Sequence, residues 1–289
     1  MKILSEFCYI KHVGGIVVCK TKGIFRHKNM KVITGDVVEF DEPQDQEAYG
    51  MITDIYDRKS ELYRPQIANI DQVVVISSVK DPNFDSYILN KYLTFISYLG
   101  IKKIIAFTKV DLIKRDDVIF DYIDDYQKIG IEIFRINNIQ PASEEWEPFN
   151  QILVNKTSVF TGQTGAGKST TLNNLLPNVF QKTQAISKAL GRGKHTTTSN
   201  ELFEFNGGFI ADTPGFSSFE LKDVTPLDVA QHYLNFNQYE CKFNDCLHNI
   251  DNEKICGVVA AKNKNEIPAF MYSDYVKLLL EFTNKRGVK

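Results

Sequence analysis

The sequence predicts a chain in three parts: a small β-barrel, a mostly parallel α/β sheet, and a short metal-held, mainly helical segment. Three observations carry this. Residues 1–66 hold short β-rich runs broken by turn signals about every dozen residues. In residues 67–222 buried-strand patterns alternate with helical ones. Residues 223–289 contain three of the five cysteines, grouped with a histidine.

Composition sets the outer bounds. A chain of 289 residues is long for one domain. Its 43% hydrophobic and 24% charged content is ordinary for a globular protein and argues against global disorder. The formal charge of −2 names no partner. No apolar run approaches the roughly 20 residues of a spanning helix, so no membrane partner is expected. The start, "MKILSEFCYIKHVGG", is broken by Glu6 and Lys11 and does not read as a secretory signal. An odd number of cysteines does not suggest a disulfide scaffold, and a reducing cytoplasm is the expected setting.

In the barrel, strands are expected at Phe7–Ile10, Gly15–Cys19, Asp36–Phe40 and Gly50–Ile55, separated by "GG", "KG", "TGD" and "DEPQDQ". Cys8 and Cys19 sit in apolar stretches and read as core thiols. Charge is segregated. Lys11, Lys20, Lys22, Arg26, Lys28 and Lys31 form a stretch without acids, and every charge from Asp36 to Glu47 is acidic. Two readings stay open: a solvated hairpin, or a phosphate-backbone footprint on an OB-like barrel. "RPQIAN" (64–69) reads as a linker.

The α/β part follows. "DQVVVISSV" is a strand covered on both faces, and "FDSYILNKYLTFISYLG" is a helix stopped by Gly100. "KKIIAF" is a strand leading into Thr108-Lys109-Val110-Asp111. "DDVIFDYIDDYQKIG" is a helix and "IEIFRI" a strand. "NKTSVFTG" is a strand entering a glycine loop, and "KSTTLNNLL" is a helix stopped by Pro177. "ELFEF" and "GGFIAD" are a strand pair.

The most specific motif is Gly162-Gln163-Thr164-Gly165-Ala166-Gly167-Lys168-Ser169, with Thr170 behind it. It satisfies G-x-x-x-x-G-K-[ST] between a strand and a helix, as a phosphate loop requires. Glycines let successive N–H groups face phosphate oxygens, and the helix start adds its dipole. Lys168 would reach the β- and γ-phosphates, and Ser169 would offer a hydroxyl to Mg²⁺. "FIADTPG" (209–215) ends a strand in Asp212, suited to the Mg²⁺ shell. The N–H of Gly215 can sense the γ-phosphate.

Thr108-Lys109-Val110-Asp111 resembles a guanine reader. The Asp111 carboxylate can accept from guanine N1–H and N2–H₂, and the Lys109 stem can lie along the base. Thr108 stands where asparagine is usual. This motif precedes the phosphate loop, so the expected core is a circularly permuted P-loop GTPase. A sheet whose chain ends lie close together tolerates such permutation.

"ALGRGKHTTTSNELF" (189–203) reads as a switch stretch, with Thr197 favoured as an Mg²⁺ ligand over its neighbouring threonines. Phe216 follows DTPG where Ras-like proteins keep a water-orienting glutamine, so another group must place the water. His195 is the candidate in this stretch, and slow unaided turnover is expected. Cys241, Cys246, His248 and Cys256, spaced C-x4-C-x-H-x7-C, suit a tetrahedral, structural Zn²⁺. His232 is expected on the helix "PLDVAQHYL", and "AFMYSDYVKLLLEF" is an amphipathic helix.

The order TKVD, GQTGAGKS, GRGKHTTT, DTPGF, then a Cys/His cluster, all after a β-rich domain, resembles the bacterial small-ribosomal-subunit-dependent GTPase family called RsgA. "LYRPQIANIDQVVVI" is similar to that family as well. The resemblance implies an OB-fold (1–66), a permuted GTPase core (67–222) and a C-terminal zinc domain (223–289). It also implies GTP hydrolysis stimulated by the small (30S) subunit during its late maturation, and it too points to His195. The expected partners are the 30S subunit and its rRNA, and the expected state is a monomer. Asn137-Asn138 departs from the Ser-Ala-Lys usual after "IEIFRI". Two other classes compete: a nucleotide-sensing RNA-binding module without appreciable turnover, and a GTPase with a non-ribosomal partner.

Overall fold

Alternating burial along short strands builds the barrel. The computed structural model describes residues 2–4, 6–23, 25, 31–43, 49–63, 65–114, 116–141, 144–177, 201–212 and 224–284. Strands β1 (Lys2–Leu4), β2 (Phe7–His12), β3 (Gly15–Thr21), β4 (Val38–Asp41) and β5 (Gly50–Ile55) form one sheet in the order β1-β2-β3-β5-β4. Neighbours are antiparallel except for the parallel β3–β5 pair. This crossed order suits a five-stranded, partly open Greek-key barrel. Its core is Cys8, Cys19, Phe25 and Ile52. Cys8 and Cys19 are cross-strand partners, and burial raises both thiols above their usual range, as inert core groups require.

The chain continues through β6 (Glu61–Leu62), β7 (Ile67–Ala68), β8 (Gln72–Ser78), α1 (Ser86–Tyr98), β9 (Lys102–Thr108), α2 (Ile119–Lys128) and β10 (Glu132–Ile136). Then come α3 (Trp146–Leu153), β11 (Thr157–Gly162), α4 (Lys168–Leu175), β12 (Leu202–Phe205), β13 (Gly208–Asp212), α5 (Pro226–His232), α6 (Gly257–Asn263) and α7 (Ala269–Asn284).

The expected linker is tied down rather than free. Ile67 and Ala68 are fully buried in β7, which pairs with β6. Ala68 N donates to Thr34 O (2.8 Å), and Asn69 Nδ2 donates to Gly35 O (2.9 Å). Two apolar side chains inside a polar hexapeptide were enough to dock it. Four elements outside this segment escaped the sequence reading: β1, β6, α3 and α6. In α3, Pro148 masks a helical stripe of Trp146, Phe149 and Leu153; proline is tolerated there because it lies in the first turn.

Two compact units divide the chain. One holds Met1–Gln72, Trp146–Thr161 and Lys168–Phe219; the other holds Val73–Glu145, Gly162–Gly167 and Glu220–Lys289. In the first, the strand order is β11-β13-β12, with β11 parallel to β13 and β12 antiparallel to it. Asn206 and Gly207, both at positive φ, close the β12–β13 hairpin, as a two-residue turn of primed type demands. In the second, the order is β10-β9-β8, with β9 and β10 parallel.

In the first unit, Asp71 N donates to Thr157 O (3.0 Å) and Thr157 N donates to Asp71 Oδ2 (2.7 Å). In the second, the Ile76 carbonyl lies where a Cβ on Gly162 would be.

The C-terminal helices pack against α1 in the second unit. Asp274 on α7 accepts from Ser86 Oγ (2.6 Å) and Asn90 Nδ2 (3.0 Å), and Asn90 Oδ1 accepts from Tyr126 OH (2.7 Å). This satisfied buried network fixes α7 on α1 and α2. Helix α5 begins with a Thr225/Asp228 capping box behind Pro226, and it ends at His232, as expected for that histidine.

Candidate functional site

The glycine loop is a short connection between a buried strand and a helix. β11 ends at Gly162 and α4 starts at Lys168. Gly162 and Gly167 have φ of +154° and +90°, in the region that favours glycine, and each has a neighbour where a side chain would intrude. For Gly167 those neighbours are Asn138 Nδ2 and Thr108 Oγ1, 3.2 and 3.4 Å from an ideal Cβ. Ala166 is buried, whereas Thr164, Gly165, Ser169 and Thr170 are exposed and Gln163 is half-buried.

The TKVD motif meets this loop. Thr108, fully buried at the end of β9, donates its hydroxyl to Ala166 O at 2.5 Å. The parallel register sets Ile136 beside Thr108, so the chain leaves β9 and β10 at the same level. Three loops, after β9, β10 and β11, therefore converge on Gly167. Lys109 adopts the left-handed region (φ 60°), uncommon for a residue with a side chain, and its ammonium donates to Asp81 O. Asp111 lies exposed on the following turn. Asn137 Oδ1 accepts from Ile139 N (3.0 Å), shaping the loop that carries Asn138. The sequence reading noted this asparagine pair only as a departure from a pattern; its approach to Gly167 is tertiary.

At the other end of the loop, Lys168 forms an ion pair with Asp212, at the tip of β13. The β11–β13 register places Asp212 level with Phe160, two residues before the loop begins. Both side chains are mostly shielded, 13% and 25% exposed. The Lys168 ammonium thus supplies the cationic partner of the Asp212 carboxylate. The exposed Ser169 hydroxyl, one residue on, is an oxygen donor of the kind Mg²⁺ takes. His195, Thr197 and Gly215 lie outside the described residues.

The second constellation is Cys241, Cys246, His248 and Cys256, whose ligand atoms all lie within 4.8 Å of one another. Zn–S and Zn–N bonds of ~2.3 and ~2.05 Å at tetrahedral angles require S···S of ~3.8 Å and S···N of ~3.6 Å. The observed values are 3.8 Å for Cys241–Cys256, and 3.4 and 3.5 Å from His248 Nδ1 to Cys241 and Cys256. These spacings fit one tetrahedral ion.

Burial pushes the Cys256 thiol up to about 12 and raises that of Cys246, so thiolates form here only with a cation to stabilise them. Burial lowers His248, which favours the neutral ring a metal needs, and a hydrogen bond to the Ala230 carbonyl orients it. That carbonyl carries no sequence signal. Cys256 also caps α6, accepting from Val259 N at 3.4 Å. Tyr272 and Tyr275 donate to the carbonyls of His248 (2.9 Å) and Leu247 (2.5 Å), tying the ligand loop to α7.

A TKVD motif that precedes the phosphate loop in the chain yet touches it in space defines a circularly permuted P-loop GTPase. The sequence model of the RsgA GTPase family matches residues 55–222, and that of the RsgA N-terminal domain matches residues 1–50. The chain belongs to the RsgA family. The small ribosomal subunit biogenesis GTPase RsgA 2 of Oceanobacillus iheyensis is 40% identical over 292 residues, covering 99% of this chain and 97% of that protein. RsgA of Bacillus pumilus is 36% identical over 295 residues, with the same coverage of 99% and 97%. Among solved structures, YjeQ from Thermotoga maritima superposes with a TM-score of 0.82 at 29% identity, covering 96% of this chain and 94% of that one. YloQ, described as a circularly permuted GTPase, gives 0.80 at 29% identity, covering 98% and 93%.

Proposed function

We propose that this chain hydrolyses GTP to GDP and phosphate as a switch in late maturation of the small (30S) ribosomal subunit, slowly alone and faster on the subunit. The observation that carries the reading is the hydroxyl of Thr108 on the carbonyl of Ala166, which joins base reader and phosphate loop in one site. The names of the relatives supply the biological setting.

In this reading Asp111 accepts from guanine N1–H and N2–H₂, the Lys109 stem flanks the base, and Thr108 holds the loop in place. The amides of residues 162–168 face the phosphates. Lys168 exchanges Asp212 for phosphate oxygens when the nucleotide enters. Ser169, Asp212 and Thr197 would hold Mg²⁺, which supplies positive charge to the phosphate oxygens. The Gly215 amide senses the γ-phosphate, and His195 positions the attacking water. Cys241, Cys246, His248 and Cys256 hold a structural zinc. The reading extends to three domains (1–66, 67–222 and 223–289), to a monomer, to contact with rRNA, and to the cytoplasm. Among the described residues, no helix is long and apolar enough to cross a membrane.

Phosphate release measured with and without purified 30S subunits tests the reading. Stimulation of turnover is expected. GTP hydrolysis that the subunit leaves unchanged would remove the ribosomal role, and binding without turnover would leave a nucleotide sensor.

A further inference from the structure

The barrel lysines divide into two sets. Lys20 and Lys22 pair inside the barrel, with Glu6 (3.6 Å) and Asp41 (3.7 Å). Lys2 and Lys11 reach outside it. Lys2 pairs with Glu201 at 3.1 Å, and Lys11 pairs with Glu204. Lys2 also forms an isolated antiparallel bridge with Glu201, so the edge strand of the barrel lies against the start of β12.

A cavity of about 370 Å³ lies along this seam, lined by Ile3, Ile10, Val38 and Phe40 of the barrel and by Leu202 and Phe209 of β12 and β13. An apolar cavity of that size leaves room for the two surfaces to shift, because its lining forfeits contact on one side. Among the described residues, two side-chain ion pairs join the barrel to this hairpin beside that backbone bridge, and their side chains are one-third to one-half exposed, accessible to a competing anion.

The strand they hold leads into the nucleotide site. β12 pairs with β13 from Leu202↔Ala211 to Phe205↔Gly208, and β13 ends at Asp212, the partner of Lys168. Anchoring β12 at Glu201 and Glu204 thus restrains the hairpin that positions Asp212. All these contacts lie within one compact unit.

We infer that Lys2 and Lys11 form a polyanion-responsive latch. Phosphodiester groups of the subunit's RNA take these two lysines from Glu201 and Glu204, and the β12–β13 hairpin is released so that Asp212 parts from Lys168. RNA suits the site because two ammonium groups on one barrel edge match phosphates along a strand, and phosphate contacts are gained by displacing weaker partners. The inference rests on the proposed subunit-stimulated hydrolysis and adds its trigger.

The test compares wild type, the double variant Glu201→Gln/Glu204→Gln, and a charge swap in which Lys2 and Lys11 become Glu while Glu201 and Glu204 become Lys. Each is assayed for GTP turnover with and without purified 30S subunits, after thermal melts confirm folding. The double variant should turn over GTP about three- to tenfold faster without subunits, the range two half-exposed ion pairs can carry. Its stimulation by subunits should shrink by the same factor. The swap should restore the low unstimulated rate yet bind subunits more weakly, which a merely structural pair would not do. An unstimulated rate in the double variant within twofold of wild type, while wild type responds normally to subunits, overturns the latch. A wild type that subunits fail to stimulate overturns the functional reading instead, and the double variant's unstimulated rate still decides the latch.

Discussion

The metal cluster and the nucleotide site are both built to hold something, but they wait for it differently. The four cluster ligands come from a stretch of 16 residues (241–256), are mostly buried, and already lie within 4.8 Å of one another. The phosphate loop is met by Thr108 of β9 at Ala166, and Lys168 at the loop's end is paired with Asp212. The contrast follows from what each ligand does. A structural ion is part of the fold, so its site is preset. A nucleotide comes and goes, so its charged groups need internal partners between visits; an unpaired Lys168, 13% exposed, would be costly.

The largest effect should come from the cluster. Cys256→Ala is expected to abolish retained metal, measured by elemental analysis. It should lower stability by several kcal/mol, a fall in melting midpoint of roughly 10 °C or more. An unchanged midpoint in EDTA-treated wild type would break the contrast, because the ion would not then be part of the fold.

Lys168→Ala should do the reverse. Nucleotide affinity, measured with a fluorescent GDP analogue, should fall about 100-fold or more through lost charge-assisted hydrogen bonds. The melting midpoint without nucleotide should stay within a few degrees, as expected when only a partly shielded pair is removed. A large drop in that midpoint would show the pair to be structural.

Asp111→Asn should weaken GTP about 30- to 100-fold and shift preference toward xanthosine triphosphate, whose base offers an acceptor where guanine has its amino group. Unchanged GTP over XTP preference in a competition assay would exclude Asp111 as the base reader. The smallest effect is expected for Thr108→Val. It leaves the Ala166 carbonyl without its hydroxyl donor, at a cost of about 1–2 kcal/mol and therefore up to roughly thirtyfold in nucleotide affinity. An affinity equal to wild type would mean the loop keeps its shape without that bond.

Legibility followed the range of the physics. Gly162–Ser169 was readable because a phosphate loop is local chemistry at fixed spacing between a strand and a helix. The Cys/His set was readable for the same reason, although its spacing is unusual. The burial of Ile67 and Ala68 inside the polar stretch 64–69 was not legible, because it depends on those two residues finding cover from distant parts of the chain. Helix α6 was invisible as a seven-residue run; its cap is the sulfur of Cys256, which also belongs to the metal set. The charge segregation of the barrel was plain in the sequence, but not that Lys2 and Lys11 spend their charge on β12.

From residues alone came the kinds of chemistry this chain carries: a phosphate cradle, a carboxylate for a base, a soft-metal set, and the order in which they occur. Each is a property of neighbours along the backbone. Only the folded chain decided that Thr108 rests on Ala166, that Lys168 waits on Asp212, and that the barrel grips β12. Those pairs join residues 44 to 199 positions apart, and such contacts exist only once strand register and burial have brought distant segments together.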